Sequence, residues 1–255
     1  MTLEELEPDV RQVVDRVTSR LLEQGAKAVV LTGSTARGRA GPQSDVDFFA
    51  IGDGPSERHQ LVEGRMVGVH WFSPEDARQR LADPSRAMIA AFGWRNAIVV
   101  ADPTGVGDEL RREAEEWSWE KIEKEADAWV CDELVAWAEY IGKLASALEG
   151  GRVLDACAIR AETAVRLGRL VAVTRRITSE SENGFWETIA SAAGPEWRDA
   201  LTQALACDGE DVETSAAAAI RLFALLAGDV RERLEQQQLE VVEHALGIAR
   251  RYADA

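Results

Sequence analysis

The chain has 255 residues, with 29 basic and 45 acidic side chains and a formal net charge of −16 at pH 7. This acidic excess argues against a protein that binds duplex nucleic acid or anionic membranes, because both need a basic surface. An apolar fraction of 46% is typical of a globular chain that buries a core. With no apolar stretch of membrane-spanning length, no secretory signal and three widely spaced cysteines, we expect a reduced, cytoplasmic protein.

The first hundred residues predict a small mixed α/β domain. Apolar residues recur on one stripe from Leu3 to Gln24, which predicts a helix that ends at Gly25. A second helix is expected from Pro74 to about Leu81. Short apolar runs predict strands at residues 26–32, 46–51, 65–72 and 97–101.

The hydrophobic period changes to 3.6 residues from about Gly105 onward, which indicates helices. We expect helices at residues 106–124, 125–148, 152–178, 184–206 and 210–250, the last with a break near Gly228. The sequence therefore predicts an α+β protein: a mixed-sheet domain over residues 1–104, followed by an all-α domain over residues 105–255.

The segment between the first two strands, residues 33–44, is rich in glycine and carries basic side chains. Gly33 permits a positive φ and the close approach of a ligand to the backbone. Ser34 and the N–H groups of the following turn are suited to donate hydrogen bonds to phosphate oxygens, and Arg37 carries a positive charge in the same turn. These features predict a phosphate-binding turn.

Two aspartates begin the next strand. Asp45 and Asp47 are two residues apart, so their carboxylates point to the same face of a strand. They repel each other unless a cation lies between them, and Mg²⁺ is commonly held by one or two carboxylates together with substrate phosphates. The pair predicts a magnesium site beside the phosphate-binding turn.

The succession strand, Gly33–Ser34, basic turn, Asp45–Val46–Asp47 and apolar strand resembles the nucleotidyltransferase superfamily of DNA polymerase β. The signature of that superfamily is Gly-Ser followed about ten residues later by two acidic residues separated by one position. The resemblance implies a nucleoside triphosphate co-substrate, most simply ATP, bound with Mg²⁺.

A second run, ELVAWAEYIGK at residues 133–143, resembles the start of the helical domain of kanamycin-type aminoglycoside nucleotidyltransferases. The resemblance implies that Glu139 takes a proton from an antibiotic hydroxyl and that Lys143 contacts nucleotide phosphate. It also implies a homodimer, with Glu139 serving its own subunit or the neighbour. A polycationic acceptor of the aminoglycoside kind suits the acidic chain. At positions i and i+4, the two residues are also compatible with a simple ion pair on a helix surface.

The sequence departs from the superfamily where a third carboxylate is expected on a later strand. Gly68 occupies that position, and His70 points to the same face two residues later. Three interpretations follow from this departure. Another group supplies the missing charge, with His70 and Glu63 as candidate auxiliary residues; or the protein binds a nucleotide without transferring it; or the fold serves other biosynthetic chemistry.

We therefore expect Mg²⁺-dependent transfer of a nucleoside monophosphate to a hydroxyl of a small, aminoglycoside-like molecule. The main alternative is a degenerate member of the superfamily that binds a nucleotide or small molecule without transfer. A toxin-type nucleotidyltransferase that modifies protein or RNA is less favoured, because a helical domain follows the catalytic segment and the net charge is −16.

Overall fold

The computed structural model of the chain describes residues 2–41, 43–55, 57–179 and 183–252, so Pro42 of the predicted phosphate-binding turn lies outside the described residues. The chain divides into two compact units, Met1–Lys121 and Ile122–Ala255. The predicted α+β class is confirmed: strands and helices make up the first unit, and helices make up the described part of the second.

The strands of the first unit are β1 (Ala28–Thr32), β2 (Val46–Ile51), β3 (Glu57–Val62), β4 (Arg65–Phe72) and β5 (Ile98–Ala101). Its helices are α1 (Pro8–Glu23), α2 (Gly33–Ala36), α3 (Pro74–Ala82), α4 (Pro84–Arg95) and α5 (Val106–Glu115). The second unit contains α6 (Glu123–Glu149), α7 (Val153–Thr174), α8 (Phe185–Ala193), α9 (Pro195–Ala204), α10 (Val212–Val230) and α11 (Gln236–Ala249).

The five strands form one mixed sheet in the order β3-β4-β2-β1-β5. Strands β2 and β4 are parallel, and the other neighbouring pairs are antiparallel. One face of the sheet packs its apolar side chains, among them Leu31, Phe48 and Val69, with the valines of α1 in a buried cluster. Because side chains alternate along a strand, Asp47 lies on the opposite face.

Besides the short helix α2, which lies where the sequence predicts a turn, strand β3 and helix α4 of the first unit are not predicted from the sequence. Strand β3 is mostly polar, with the sequence ERHQLV, and lies at the edge of the sheet. An edge strand with few apolar residues lacks the periodic signal of a half-buried strand. Helix α4 begins at Pro84 after an Asp83 cap, whose side chain accepts a hydrogen bond from the Ser85 N–H at 2.9 Å.

The sequence predicts that the first helix begins at Leu3, but helix α1 begins at Pro8. Residues Leu3–Glu5 form a separate, short 3₁₀ helix. Proline lacks an N–H and clashes with the carbonyl four residues earlier, so a helix can begin at Pro8 but cannot run through it.

Helix α5 lies in the first unit, whereas the sequence-based boundary after residue 104 assigned it to the second domain. Its Leu110 and Ala114 are fully buried. Just beyond it, the Trp117 indole N–H donates to the Leu81 carbonyl at 2.8 Å, and the Arg95 guanidinium donates to the Ala114 carbonyl at 2.6 Å. These bonds tie the C-terminal end of α5 and the residues just after it to α3 and α4.

The second unit matches the predicted long helices α6 and α7 within a few residues. The predicted helix over 184–206 is divided at Gly194, where φ is +93° and Pro195 starts α9. The predicted break near Gly228 is present and lies at residues 231–235, because α10 runs through Gly228 to Val230. A glycine within a helix costs about 1 kcal/mol, and the surrounding Leu226, Ala227 and Val230 are buried. No helix in the described part of the chain has the length and apolar composition needed to cross a bilayer.

Candidate functional site

A row of four residues crosses four strands on the face of the sheet that does not pack against α1. Asp47 on β2 is paired with Thr32 on β1 and with Gly68 on β4, and Gly68 is paired with His59 on β3. Residues directly opposite each other in neighbouring strands point to the same face. The sheet register therefore places one carboxylate, one glycine and one imidazole side by side.

The Asp47 carboxylate lies between two glycines. A Cβ atom built on Gly33 would lie 2.4 Å from Asp47 Oδ2, and one built on Gly68 would lie 2.8 Å from Asp47 Oδ1. Real Cβ atoms essentially never come that close to another heavy atom. Gly33 also has a φ of +70°, as its predicted role requires. The absence of side chains at both positions leaves room for the carboxylate.

The Gly33–Ser34 segment is joined directly to the aspartate pair. Gly33 and Ser34 open the short helix α2, and the Thr35 hydroxyl donates to the Asp45 carbonyl at 3.1 Å. Asp45 is half-buried and precedes the first residue of β2. The predicted phosphate-binding turn and the acidic pair thus come together in one local structure.

Arg37 follows α2 immediately, and its N–H donates to the Ser34 carbonyl at 3.2 Å. Its guanidinium carbon lies 5.8 Å from the centre of the Phe92 ring. This contact orients a positive charge beside the turn, where the sequence predicts phosphate oxygens.

The two candidate auxiliary residues occupy different places. His70 is half-buried among aromatic rings: its ring centre lies 6.3 Å from that of Phe49 and 6.2 Å from that of Phe72. Glu63 lies at the turn between β3 and β4 and forms an ion pair with Arg16 of α1. Helix α1 packs on the other face of the sheet, so this contact directs Glu63 away from the row that contains Asp47.

His59 was not among the residues selected from the sequence, because strand β3 was not predicted. The signal in the sequence is the pair Glu63–Gly64, because glycine is typical of tight turns. In the structure φ is +50° at Glu63 and +77° at Gly64, and two consecutive residues of positive φ form a tight hairpin turn. Recognising that turn would have paired residues 57–62 with β4.

In the second unit, Glu139 and Lys143 lie one turn apart on α6, as expected. The Lys143 ammonium is 2.9 Å from the Glu139 carboxylate and 4.5 Å from the centre of the Tyr140 ring. The side chains are 70% and 48% exposed for Glu139 and Lys143, respectively. The hydrogen bond that the Lys143 ammonium donates to the Glu139 carboxylate is the main cause of the raised pKa of Lys143, which favours the cationic form. The geometry is that of a solvated ion pair accessible to a ligand.

Within the described residues, no three histidine, cysteine, aspartate or glutamate side chains are already gathered around a metal position. The chemistry of Asp45 and Asp47 nonetheless fits a hard divalent cation that takes its remaining ligands from phosphate oxygens. The glycines at 33 and 68 leave room for the Asp47 carboxylate in this arrangement.

Comparison with known proteins identifies the family of this chain and a solved structure with a similar fold. A family model described as a nucleotidyltransferase domain matches residues 10–147. A solved structure of a nucleotidyltransferase-like protein from Exiguobacterium sibiricum 255-15 has a similar fold, with a TM-score of 0.54 at 15% sequence identity. That similarity covers 92% of this chain and 88% of the other. No curated protein sequence matches the chain. With more than half of its length matched, including the Gly-Ser turn and the aspartate pair, the chain belongs to the nucleotidyltransferase domain family.

Proposed function

We propose that this protein transfers a nucleoside monophosphate from a nucleoside triphosphate, most simply ATP, to a hydroxyl group of a small, cationic, aminoglycoside-like acceptor. The carboxylate of Asp47, held between Gly33 and Gly68 beside the Gly-Ser turn, is the observation that carries this proposal. Nucleotidyltransferase domains generally use a nucleoside triphosphate and a divalent cation.

Each site residue of the first unit is assigned a role in this reaction. Ser34 and the turn that follows bind triphosphate oxygens, and Arg37 neutralises part of their charge. Asp45 and Asp47 would hold Mg²⁺, which would supply charge neutralisation on the triphosphate and on the departing pyrophosphate. The glycines at 33 and 68 leave room for the Asp47 carboxylate.

The resemblance to kanamycin-type enzymes assigns the remaining roles to the helical unit. Glu139 accepts the proton of the acceptor hydroxyl, whose oxygen then bonds to the α-phosphorus while the bond from that phosphorus to the bridging oxygen breaks and pyrophosphate leaves. Lys143 neutralises phosphate charge. Because Glu139 is hydrogen-bonded to Lys143, this ion pair must open, or exchange partners, when the proton is taken up. A homodimer and a cytoplasmic location complete the proposal.

Pyrophosphate release tests the reaction. The purified protein is incubated with Mg²⁺ and each of the four nucleoside triphosphates, against a panel of aminoglycosides and lincosamides. We expect release with one acceptor class. Asp47→Asn should abolish this release, whereas Asp15→Asn, which changes an exposed aspartate of α1 paired with Arg11, should not.

The role of Glu139 has its own matched pair of variants. General-base catalysis contributes about 10²- to 10⁴-fold, so Glu139→Gln should lower the rate of transfer by that factor. Glu125→Gln, which changes an exposed glutamate on the same helix, should leave the rate unchanged. Full activity in Glu139→Gln would remove the residue from the mechanism without affecting the assignment of Asp47.

Gly68 favours a second candidate function, binding of a nucleotide without transfer. The glycine is the direct sheet partner of Asp47, so the position beside that carboxylate on β4 contributes no charge. Nucleotide binding that depends on Asp47, together with no pyrophosphate release for any acceptor, would support this second function.

A further inference from the structure

The space above Gly68 is bounded by two side chains with metal-binding atoms. A Cβ atom built at Gly68 would lie 2.8 Å from Asp47 Oδ1 on one side. On the other side it would lie 3.6 Å from His59 Nε2 and 3.7 Å from His59 Cδ2. The carboxylate oxygen and the imidazole nitrogen therefore approach the same point from opposite directions.

The register of the sheet explains this approach. Asp47 and His59 lie on strands that are separated by β4, so their backbones are about 10 Å apart at the usual spacing of strands. Their side chains can approach each other only because the residue between them is glycine. A side chain at position 68 would fill the space and separate the two groups.

We propose that His59 is the third protein ligand of the divalent cation, alongside Asp45 and Asp47, and replaces the carboxylate expected at position 68. This inference rests on the proposed function, because the cation is the one that accompanies the nucleotide. In the described structure the three donors are not gathered around one position, so the proposal requires them to come together when the ion and the phosphates bind. His59 is exposed and lies on the edge strand of the sheet.

A nitrogen ligand changes the expected choice of metal. Mg²⁺ strongly prefers oxygen ligands, whereas Mn²⁺ and the later divalent metals also accept imidazole. The wild-type protein should therefore favour Mn²⁺ over Mg²⁺ more strongly than a variant in which the third ligand is a carboxylate.

The test measures metal binding directly. Mn²⁺ is titrated into the protein together with a non-hydrolysable ATP analogue, and the free ion is quantified by electron paramagnetic resonance. Pulsed measurements on the bound ion then detect coupling to an imidazole nitrogen. The chain has three histidines, so His59→Gln and the control His244→Gln, an exposed histidine on α11, assign that signal.

We expect His59→Gln to weaken Mn²⁺ binding by about tenfold or more and to remove the nitrogen coupling, whereas His244→Gln changes neither. His59→Asp should bind Mn²⁺ and lose the preference for it over Mg²⁺. Circular dichroism confirms that each variant is folded.

The outcomes separate this inference from the proposed function. If Asp47→Asn abolishes binding while His59→Gln retains wild-type affinity and nitrogen coupling, His59 is not a ligand and the proposed function stands. If the wild-type protein binds neither Mn²⁺ nor the nucleotide analogue, both the inference and the proposed function are overturned.

Discussion

The replacement Gly33→Ala tests whether the glycine exists to accommodate Asp47. Two effects oppose the alanine. At a φ of +70°, a residue with a Cβ atom costs about 1–2 kcal/mol relative to glycine. In addition, the new Cβ would lie 2.4 Å from Asp47 Oδ2, which forces the carboxylate to turn away.

The control Gly25→Ala isolates the first effect. Gly25 has a φ of +94°, and a Cβ atom built there meets nothing within 4 Å. We therefore expect Gly25→Ala to lower the melting temperature by about 2–8 °C, the shift that follows from 1–2 kcal/mol in a chain of this size. Gly33→Ala should lower it further, since rotating a side chain away from its preferred conformation costs about 0.5–1.5 kcal/mol.

The two variants should differ most in ligand binding. Displacement of the Asp47 carboxylate should abolish binding of Mg²⁺ with ATP in Gly33→Ala, measured by isothermal titration calorimetry, whereas Gly25→Ala binds normally. In an Asp47→Ala background the 2.4 Å contact with Oδ2 is gone and only the 3.3 Å contact with Cβ of residue 47 remains, so most of the extra thermal destabilisation by Gly33→Ala should disappear. The reasoning is refuted if Gly33→Ala binds Mg²⁺ with ATP as Gly25→Ala does, or if its thermal cost is the same in both backgrounds.

Two further predictions concern stability. Trp117→Phe removes the indole N–H that donates to the Leu81 carbonyl at 2.8 Å. Because a buried acceptor is left unsatisfied, the free energy of unfolding measured in urea should fall by about 1–3 kcal/mol. A change near zero would contradict the anchoring of α5 in the first unit. Asp211 caps α10 and has a pKa lowered from 3.8, mainly by hydrogen bonds from the Thr214 backbone N–H. Because the folded state favours the ionised carboxylate, the stability from this cap is present above pH 3.8 and is lost as the pH falls through the lowered pKa. Asp211→Ala should therefore melt below the wild type at pH 7 and converge with it in strong acid, while Asp199→Ala, which changes an exposed aspartate of α9, should show no such dependence; a gap that persists at low pH would contradict this cap.

The parts of the fold that could be predicted from the sequence are those with a strong local pattern. The valines of α1, the apolar strands β1, β2 and β4, and the long helices α6 and α7 bury periodic faces, and periodicity is visible in one sequence. The Gly33–Ser34 turn and the Asp45–Asp47 pair could be found because their spacing is fixed along a continuous segment.

The parts that could not be predicted depend on contacts between distant segments. Strand β3 has a polar sequence and is defined by its pairing with β4, so His59 was missed even though Gly68 was singled out. The ion pair of Glu63 with Arg16 depends on how α1 lies against the sheet. Sequence alone identifies a glycine where a carboxylate is expected, and only the sheet register identifies its neighbour on β3.

The hairpin turn at Glu63–Gly64 has a consequence for how this chain tolerates insertions and deletions. Side chains alternate between the two faces of β3, so one residue added or removed at the turn would replace His59 beside Gly68 with Arg58 or Gln60. Substitutions in the exposed part of this strand are mild in comparison, since they leave the alternation intact. A relative that keeps glycine on β4 should therefore conserve the length of this hairpin more strictly than its sequence.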